Sequence, residues 1–158
     1  MVKTPQIIGW QEWCALPQLE LPAVKVKVDT GARTSALHAS NIEMFTEDGR
    51  DFVRFCVHPL QRDYKFKISC VAPLVDHRFV TSSNGKRERR YVIQTQIQMA
   101  EKKFLAEVTL TCRKKMAFRM LMGRQALRNG RFIVNPAKSF LLGKLNNVSE
   151  LYVTGSSE

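Results

Sequence analysis

The chain has 158 residues, of which 44% are hydrophobic and 25% charged, and its 25 lysines and arginines outnumber its 14 aspartates and glutamates to give a formal net charge of +11. This composition excludes a collagen-like, coiled-coil or wholly disordered chain, and no apolar run reaches the roughly 20 residues of a membrane-spanning helix. The residues after Met1 lack the pattern of a signal peptide. We therefore expect a cytoplasmic globular protein with no membrane association.

The positive charge is concentrated in one third of the chain. Residues 1–77 carry nine basic and nine acidic side chains, whereas residues 78–131 carry 14 basic and three acidic ones. A local excess of that size attracts anions such as nucleic acid, an anionic membrane surface or an acidic polypeptide. A solvated basic face that only aids solubility is the alternative interpretation.

Most of the chain shows the two-residue periodicity of half-buried strands. Residues 25–28 alternate and lead into Asp29, and the alternating residues 42–44 and 53–57 flank Asp48-Gly49, which predicts a hairpin. Alternation continues in four later segments, which are residues 64–70, 75–79, 91–99 and 104–112. A polar turn at residues 82–86 separates the second of these segments from the third. Short antiparallel strands of this kind predict a mainly β fold, either a small barrel or a sandwich.

One short helix is predicted near the C-terminus. Residues 123–128 contain good helix formers, and the following Asn129-Gly130 suits a left-handed cap. Further strands are expected at residues 132–134 and 140–142. The polar residues 146–158 are expected to form a flexible tail, which leaves residues 1–145 as a single domain.

The chain lacks the common signatures of metal and nucleotide sites. Its four cysteines form no C-x-x-C pair, its three histidines form no H-E-x-x-H motif, and neither Gly-Lys dipeptide completes a phosphate-binding loop. We therefore expect no metal and no cofactor. The cysteines are interpreted as buried and reduced.

The segment that points to chemistry is Asp29-Thr30-Gly31-Ala32, at the end of a predicted strand. A carboxylate in such a turn can activate water when a second carboxylate about 3 Å away shares its proton, because the two cannot both ionise. The Thr30 hydroxyl and the Gly31 amide can hold this pair by hydrogen bonds. Taken alone, Asp-Thr-Gly also fits an ordinary turn after a strand.

The order of the motifs resembles the retropepsin family of aspartic proteases. After the D-T-G-A turn come a hairpin with a polar tip, further strands, the apolar residues 118–122, Gly123-Arg124 and a short helix. The string D-T-G-A-R-T-S-A-L-H-A, from Asp29 to Ala39, is similar to a bacterial group of retropepsin-like proteins found beside ATP-grasp glutamate ligases, with the older label "ATP-dependent zinc protease". The resemblance spans about residues 20–142 and implies a closed β-barrel with a flap hairpin.

The resemblance also implies which residues act. Catalysis is assigned to Asp29, Thr30 and Gly31. Substrate binding is assigned to residues after this motif and at the flap tip, namely Ala32, Arg33, Ser83, Asn84 and Gly85. Structural support of the site is assigned to Leu121, Met122, Gly123 and Arg124. Because one chain supplies one D-T-G motif, the implied active unit is a homodimer with Asp29 of both copies on the two-fold axis.

The implied substrate is an acidic or glutamate-tagged protein or peptide, and a functional link to a glutamate ligase is expected. Retroviral members of the family place an acid directly after D-T-G-A, where it pairs with the arginine of Gly-Arg. Here that position is Arg33, so Arg124 needs another acceptor. Arg33 either presents its guanidinium to a substrate carboxylate or pairs with a nearby glutamate. His38 is interpreted as a structural histidine, with a role in substrate binding as the alternative.

Two other functions fit the sequence. The main alternative is a non-catalytic retropepsin-like module whose basic residues 78–131 bind RNA, ribosomal protein or an acidic partner. Nucleic acid ranks below an acidic polypeptide as the expected partner. A zinc peptidase is a third and weaker hypothesis, because the chain has no zinc motif.

Overall fold

The fold is described from a computed structural model for residues 4–60, 63, 65–81, 85–112 and 117–156. These residues form eleven strands, a 3₁₀ turn and two α-helices, so the prediction of a mainly β protein is confirmed. The strands are β1 (Gln6–Ile8), β2 (Gln11–Leu16), β3 (Leu21–Val28), β4 (Ser35–His38), β5 (Ser40–Glu47), β6 (Arg50–Val57), β7 (Ile68–Thr81), β8 (Arg87–Met99), β9 (Lys102–Thr111), β10 (Met120–Met122) and β11 (Phe132–Val134). The helices are α1 (Arg124–Gly130) and α2 (Val148–Ser156). Neither helix of the described residues has the length and apolar character needed to cross a lipid bilayer.

Nine of the strands form one sheet in the order β2-β3-β10-β4-β9-β8-β7-β6-β5. Strand β2 also pairs with β8 through Ala15 and Gln98, so the first six strands of this order close into a ring. Strands β1 and β11 form a separate parallel pair. Alternate side chains of the ring strands, such as Val26, Ile97 and Val108, are fully buried in one apolar cluster, which is the core.

The predicted hairpin at Asp48-Gly49 is confirmed, because β5 and β6 pair antiparallel and the two turn residues have positive φ values of 52° and 76°. A second hairpin joins β7 and β8. Strand β7 runs for 14 residues and contains a bulge at Val75, between the register pairs of Leu74 and Asp76. Residues 87–91 of β8 pair only with β7, so this hairpin extends beyond the ring as a two-stranded ribbon.

The prediction of a strand at residues 140–142 is wrong. Phe140 has a left-handed backbone with a φ of 54°, and its N–H donates to a carbonyl of β2 at 2.9 Å. The next two amides, of Leu141 and Leu142, donate to the carboxylate of the buried Glu12 at 2.8 and 3.1 Å. The Glu12 carboxylate therefore accepts the backbone N–H groups that a partner strand would otherwise accept.

Within residues 146–158, for which a flexible tail is expected, the structure has helix α2. The side chain of Tyr152 anchors the helix, since it is buried and its hydroxyl accepts from the Ala23 amide at 3.3 Å and donates to the Ala23 carbonyl. Its ring also meets Phe66 edge-on, with 5.6 Å between the ring centroids. Tyr152 thus gives this polar segment a buried contact with β3 and with Phe66.

Candidate active site

Asp29 is the first residue after β3, in a tight turn that backbone hydrogen bonds hold. Its N–H donates to the Met122 carbonyl at 2.8 Å, and its carbonyl accepts from the Ala32 N–H at 3.2 Å. The Gly31 N–H donates to Asp29 Oδ1 at 3.0 Å, so the turn itself orients one carboxylate oxygen. Asp29 is half-buried, whereas Thr30 and Gly31 are exposed. The turn therefore presents a fixed carboxylate at the surface of the chain.

Gly123 and Arg124 pack against the residues that follow this turn. The Arg124 N–H donates to the Ala32 carbonyl at 2.8 Å, and the Gly123 N–H donates to the Ser35 hydroxyl at 3.1 Å. A Cβ atom at Gly123 would lie 2.5 Å from the Thr34 carbonyl oxygen, so only glycine permits so close an approach. The structure thus brings these predicted supporting residues directly against the D-T-G-A segment.

The side chain of Arg124 has an acceptor that the sequence leaves unnamed. Its Nη1 donates to the Thr30 carbonyl at 3.0 Å, which ties the turn to the start of α1. The backbone carbonyl of Arg33 accepts from the Gln125 N–H at 3.0 Å, while its side chain is exposed. Among the described residues, the Arg33 guanidinium has no carboxylate partner. The described residues therefore do not show the alternative in which Arg33 pairs with a nearby glutamate.

The register of the sheet shows which side of the β7–β8 hairpin is continuous with the Asp29 turn. Directly paired residues on neighbouring strands point to the same side of a sheet. One row of such residues starts two positions before Asp29 and ends on β7: Lys27, Leu121, Ala36, Thr109, Val92 and Asp76.

We call the side of the hairpin with Asp76 the cleft face, and it carries Asp76, Arg78, Val80, Glu88 and Arg90. The opposite side is the outer face, which carries His77, Phe79, Thr81, Arg87, Arg89 and Tyr91.

Carboxylates neutralise the arginines of the cleft face. Arg78 donates from Nε to Asp76 at 2.9 Å and from Nη2 to Glu107 at 2.7 Å. The hydrogen bond to Glu107 is the largest cause that raises the pKa of Arg78. The buried Arg90 lies 3.4 Å from a carboxylate oxygen of Glu88. Among the described residues, the cleft face of the hairpin therefore contributes little unpaired positive charge.

The remaining predicted site residues lie in several places. Ser83 and Asn84 fall outside the described residues. Gly85, which follows them, is exposed and has a φ of 83°, a left-handed conformation that suits glycine in a turn. Leu121 is half-buried within the row that leads to the hairpin, and Met122 is fully buried beside the Asp29 turn.

His38 lies at the other end of β4 from Ser35, away from the Asp29 turn. Its burial lowers its pKa, and the charges of Arg119 and His58 lower it further, so the neutral imidazole is favoured. The rings of His38 and His58 have centroids 6.2 Å apart, and Arg119 Nε donates to the His58 carbonyl at 2.7 Å. His38 therefore belongs to a buried polar cluster separate from the carboxylate.

Among the described residues, no group of three or more His, Cys, Asp and Glu side chains is placed to hold a metal ion. The four cysteines are free thiols. Burial raises the pKa of both Cys14 and Cys70 to about 12. Cys56 is half-buried and Cys112 is exposed just after β9, so the prediction that all four are buried is wrong for this last one.

Sequence reasoning missed the buried carboxylate of Glu12, which helps to place the strand beside the Asp29 turn. Its Oε2 accepts from the Gly9 amide at 2.7 Å and from the Leu141 amide at 2.8 Å. A signal for it exists in the sequence, because Glu12 shares the alternating apolar positions of Cys14 and Leu16 in β2. An acid in such a row requires internal hydrogen-bond donors.

The closed ring of strands, the D-T-G turn and the Gly-Arg segment packed against it define the retropepsin class of fold. Residues 7–144 match the family described as "RimB-like: Retropepsin-like aspartic endopeptidase RimB", and the chain belongs to this family. The family is named for an aspartic endopeptidase, which supports a peptidase at the level of the family.

Curated relatives and a solved structure extend this comparison. The chain is 45% identical over 154 residues to a probable alpha-L-glutamate ligase of Shewanella halifaxensis and 43% identical over 144 residues to a protein of the same name from Desulfotalea psychrophila. These matches cover 96% and 91% of this chain but 33% and 31% of the relatives, so the chain spans about a third of their length. A crystal structure of a protein of unknown function from Legionella pneumophila has a TM-score of 0.74 at 28% identity, covering 87% of this chain and 98% of that one.

Proposed function

We propose that this protein is a homodimeric aspartic peptidase that hydrolyses amide bonds. The observation that carries the proposal is the Asp29 carboxylate, which the Gly31 amide orients at 3.0 Å in a turn fixed by β10 and Gly123. Of the five aspartates in the chain, only Asp29 lies in a D-T-G sequence. Two copies of the chain are therefore needed to supply two such carboxylates.

In the proposed dimer, two Asp29 carboxyl groups about 3 Å apart hold one proton between them, because both cannot be ionised. The ionised carboxylate removes a proton from a water molecule as its oxygen attacks the amide carbon, and the protonated carboxyl donates to the carbonyl oxygen. A proton then passes to the amide nitrogen, the C–N bond breaks, and an amine and a carboxylic acid leave. The Gly31 amide and the Arg124 contact to the Thr30 carbonyl keep each carboxylate in place.

An apolar surface beside the turn supports the homodimer. Ile7 and Ile133 are register partners in the β1–β11 pair, and 54% and 55% of their respective surfaces are exposed. An open groove of about 500 Å³ adjoins this pair, and Thr30, Leu127, Phe132 and Ile133 line it together with three arginines. Covering this surface with a second copy removes apolar area from water and brings the two Thr30 segments together.

Arg33 supports an acidic substrate. Arg33 is exposed four residues after Asp29 and has no carboxylate partner among the described residues, so its guanidinium can match the two oxygens of a substrate carboxylate. Because the curated relatives are named for a glutamate ligase, we infer a functional link to such a ligase and a glutamate-tagged protein or peptide as the substrate. A cytoplasmic location is part of the same proposal.

The variant Asp29→Asn tests the catalytic assignment. We expect it to fold and to sediment as a dimer, but to hydrolyse a glutamylated peptide at least about 100-fold more slowly, because asparagine cannot exchange the proton. The matched control is Asp48→Asn, the same chemical change at an exposed hairpin turn, which should keep its activity. Unchanged turnover by Asp29→Asn would refute the assignment.

Further measurements separate the proposal from its rivals. A strict monomer with full peptidase activity in sedimentation and assay would contradict the homodimer. Loss of activity in a chelator would favour a zinc peptidase. A wild-type dimer that binds the glutamylated peptide without cleaving it would favour a non-catalytic module.

A further inference from the structure

The outer face of the β7–β8 hairpin combines aromatic and basic side chains. Three directly opposed pairs put their side chains on this face: His77 with Tyr91, Phe79 with Arg89, and Thr81 with Arg87. Phe79 is 61% exposed, the highest value among the large hydrophobic side chains of the described residues. A phenylalanine so exposed contributes little to the core, so its position on the hairpin needs another explanation.

Charge is divided unequally between the two faces of this hairpin. The two carboxylates in the described residues of β7 and β8 are Asp76 and Glu88, and both belong to the cleft face. Arg87 and Arg89 of the outer face form no ion pair with a carboxylate of the described residues. Among the described residues, the outer face therefore carries two arginines without an ion pair and no carboxylate, on the side of the hairpin opposite to the cleft face.

Each of these arginines lies over an aromatic ring. The guanidinium carbon of Arg87 is 4.2 Å from the ring centroid of Phe79, and that of Arg89 is 5.5 Å from the centroid of Tyr91. Arg89 also donates a hydrogen bond to Nδ1 of His77. The outer face thus places positive charge directly beside exposed or half-buried aromatic rings.

We propose that the outer face binds single-stranded RNA. Unpaired bases stack on aromatic rings and on guanidinium planes, and the phosphates that link them are attracted to arginines. RNA exposes such bases in its loops and ends, whereas a duplex hides them between base pairs. This proposal does not depend on the peptidase activity, because the outer face lies on the side of the hairpin opposite to the cleft face.

RNA fits this face better than an acidic polypeptide does. Carboxylates would use the positive charge of Arg87 and Arg89, but they offer no flat apolar surface to the exposed ring of Phe79. A strand of RNA uses both features, since each nucleotide carries a base and a phosphate. The two ligands therefore respond differently to loss of the ring at constant charge.

The experiment measures the affinity of the full-length protein for a labelled, unstructured RNA of about 12 nucleotides by fluorescence anisotropy between about 50 and 200 mM salt. We expect Phe79→Leu, which keeps the charge and an apolar side chain, to weaken binding about tenfold without changing the salt dependence. The double variant Arg87→Gln/Arg89→Gln should weaken binding at least about tenfold and reduce the slope of log affinity against log salt by about 1.4. Circular dichroism confirms that each variant is folded.

The matched control is Lys65→Gln/Lys67→Gln, which removes the same charge from two exposed lysines outside the ribbon and should change the RNA affinity less than about twofold. Equal losses from the two double variants would show binding by net charge and overturn the proposal. So would the absence of RNA binding by the wild type, stronger binding of the same RNA as a duplex, or an unchanged affinity for RNA in Phe79→Leu. A polyglutamate peptide that displaces the RNA at equal concentration would identify the outer face as a surface for acidic polypeptides.

Discussion

The Asp29 turn and the β7–β8 hairpin both belong to the candidate site, but different interactions hold them. At the turn, backbone groups of β3, β10 and the start of α1 bond to one another, and Gly123 leaves room for a neighbouring carbonyl. In the ribbon beyond the ring, each strand pairs only with the other, and the side chains of its two faces differ in charge. We therefore expect substitutions at the turn to be more disruptive than substitutions of the exposed side chains of the ribbon.

The largest effect that tests this comparison is expected from Gly123→Ala. A Cβ atom there meets the backbone carbonyl of Thr34 at 2.5 Å, and backbone cannot move aside as a flexible side chain can. We expect the free energy of unfolding to fall by about 3 kcal/mol, measured by urea denaturation. Peptidase activity should fall with it, because the Asp29 turn rests on this contact.

Gly85→Ala in the hairpin is the control for Gly123→Ala. Gly85 has a φ of 83°, and no atom of the described residues lies within 4 Å of the position of a Cβ, so the substitution introduces backbone strain without a clash against them. We expect a loss of about 1 kcal/mol. If the two variants were equally destabilised, close packing would not distinguish the turn from the hairpin.

Glu12→Gln should have the next largest effect. The carboxylate of Glu12 accepts three backbone N–H groups, from Gly9, Leu141 and Leu142. A glutamine has one acceptor oxygen, and its NH₂ group would face an N–H donor, so we expect a loss of about 2 kcal/mol in thermal or urea unfolding. The same change at the exposed Glu43 should cost less than about 0.5 kcal/mol. A loss of that small size at Glu12 would mean that water or a shifted backbone replaces its contacts.

Sequence periodicity predicted the strands whose side chains alternate between core and solvent. The hairpin at Asp48-Gly49 and the strand that ends at Val28 are examples, because a period of two residues and a turn dipeptide are local signals. The strands β1 and β2 were not predicted. Strand β1 has three residues and depends on a partner, β11, that lies more than a hundred residues later in the chain.

The sequence also predicted part of the candidate site. The resemblance to retropepsins implies that Asp29 and Gly123 belong to one site, and the structure brings their segments into contact. The acceptor of Arg124 could not be predicted, because a backbone carbonyl carries no signal in the sequence. The division of charge between the faces of the hairpin also required the structure, since it depends on the bulge at Val75.

The smallest expected effect concerns the ion pair that joins the hairpin to the ring, Arg78 with Glu107 at 2.7 Å. Because the two side chains are 35% and 28% exposed, solvent screens the attraction, and a double-mutant cycle of Arg78→Gln and Glu107→Gln should give a coupling energy of about 0.5 kcal/mol. In about 1 M salt this coupling should approach zero. A coupling above about 2 kcal/mol would mean that side chains hold the hairpin as firmly as backbone contacts hold the Asp29 turn. A small and salt-sensitive coupling would instead mean that side-chain contacts hold the ribbon to the ring less firmly than backbone contacts hold the Asp29 turn.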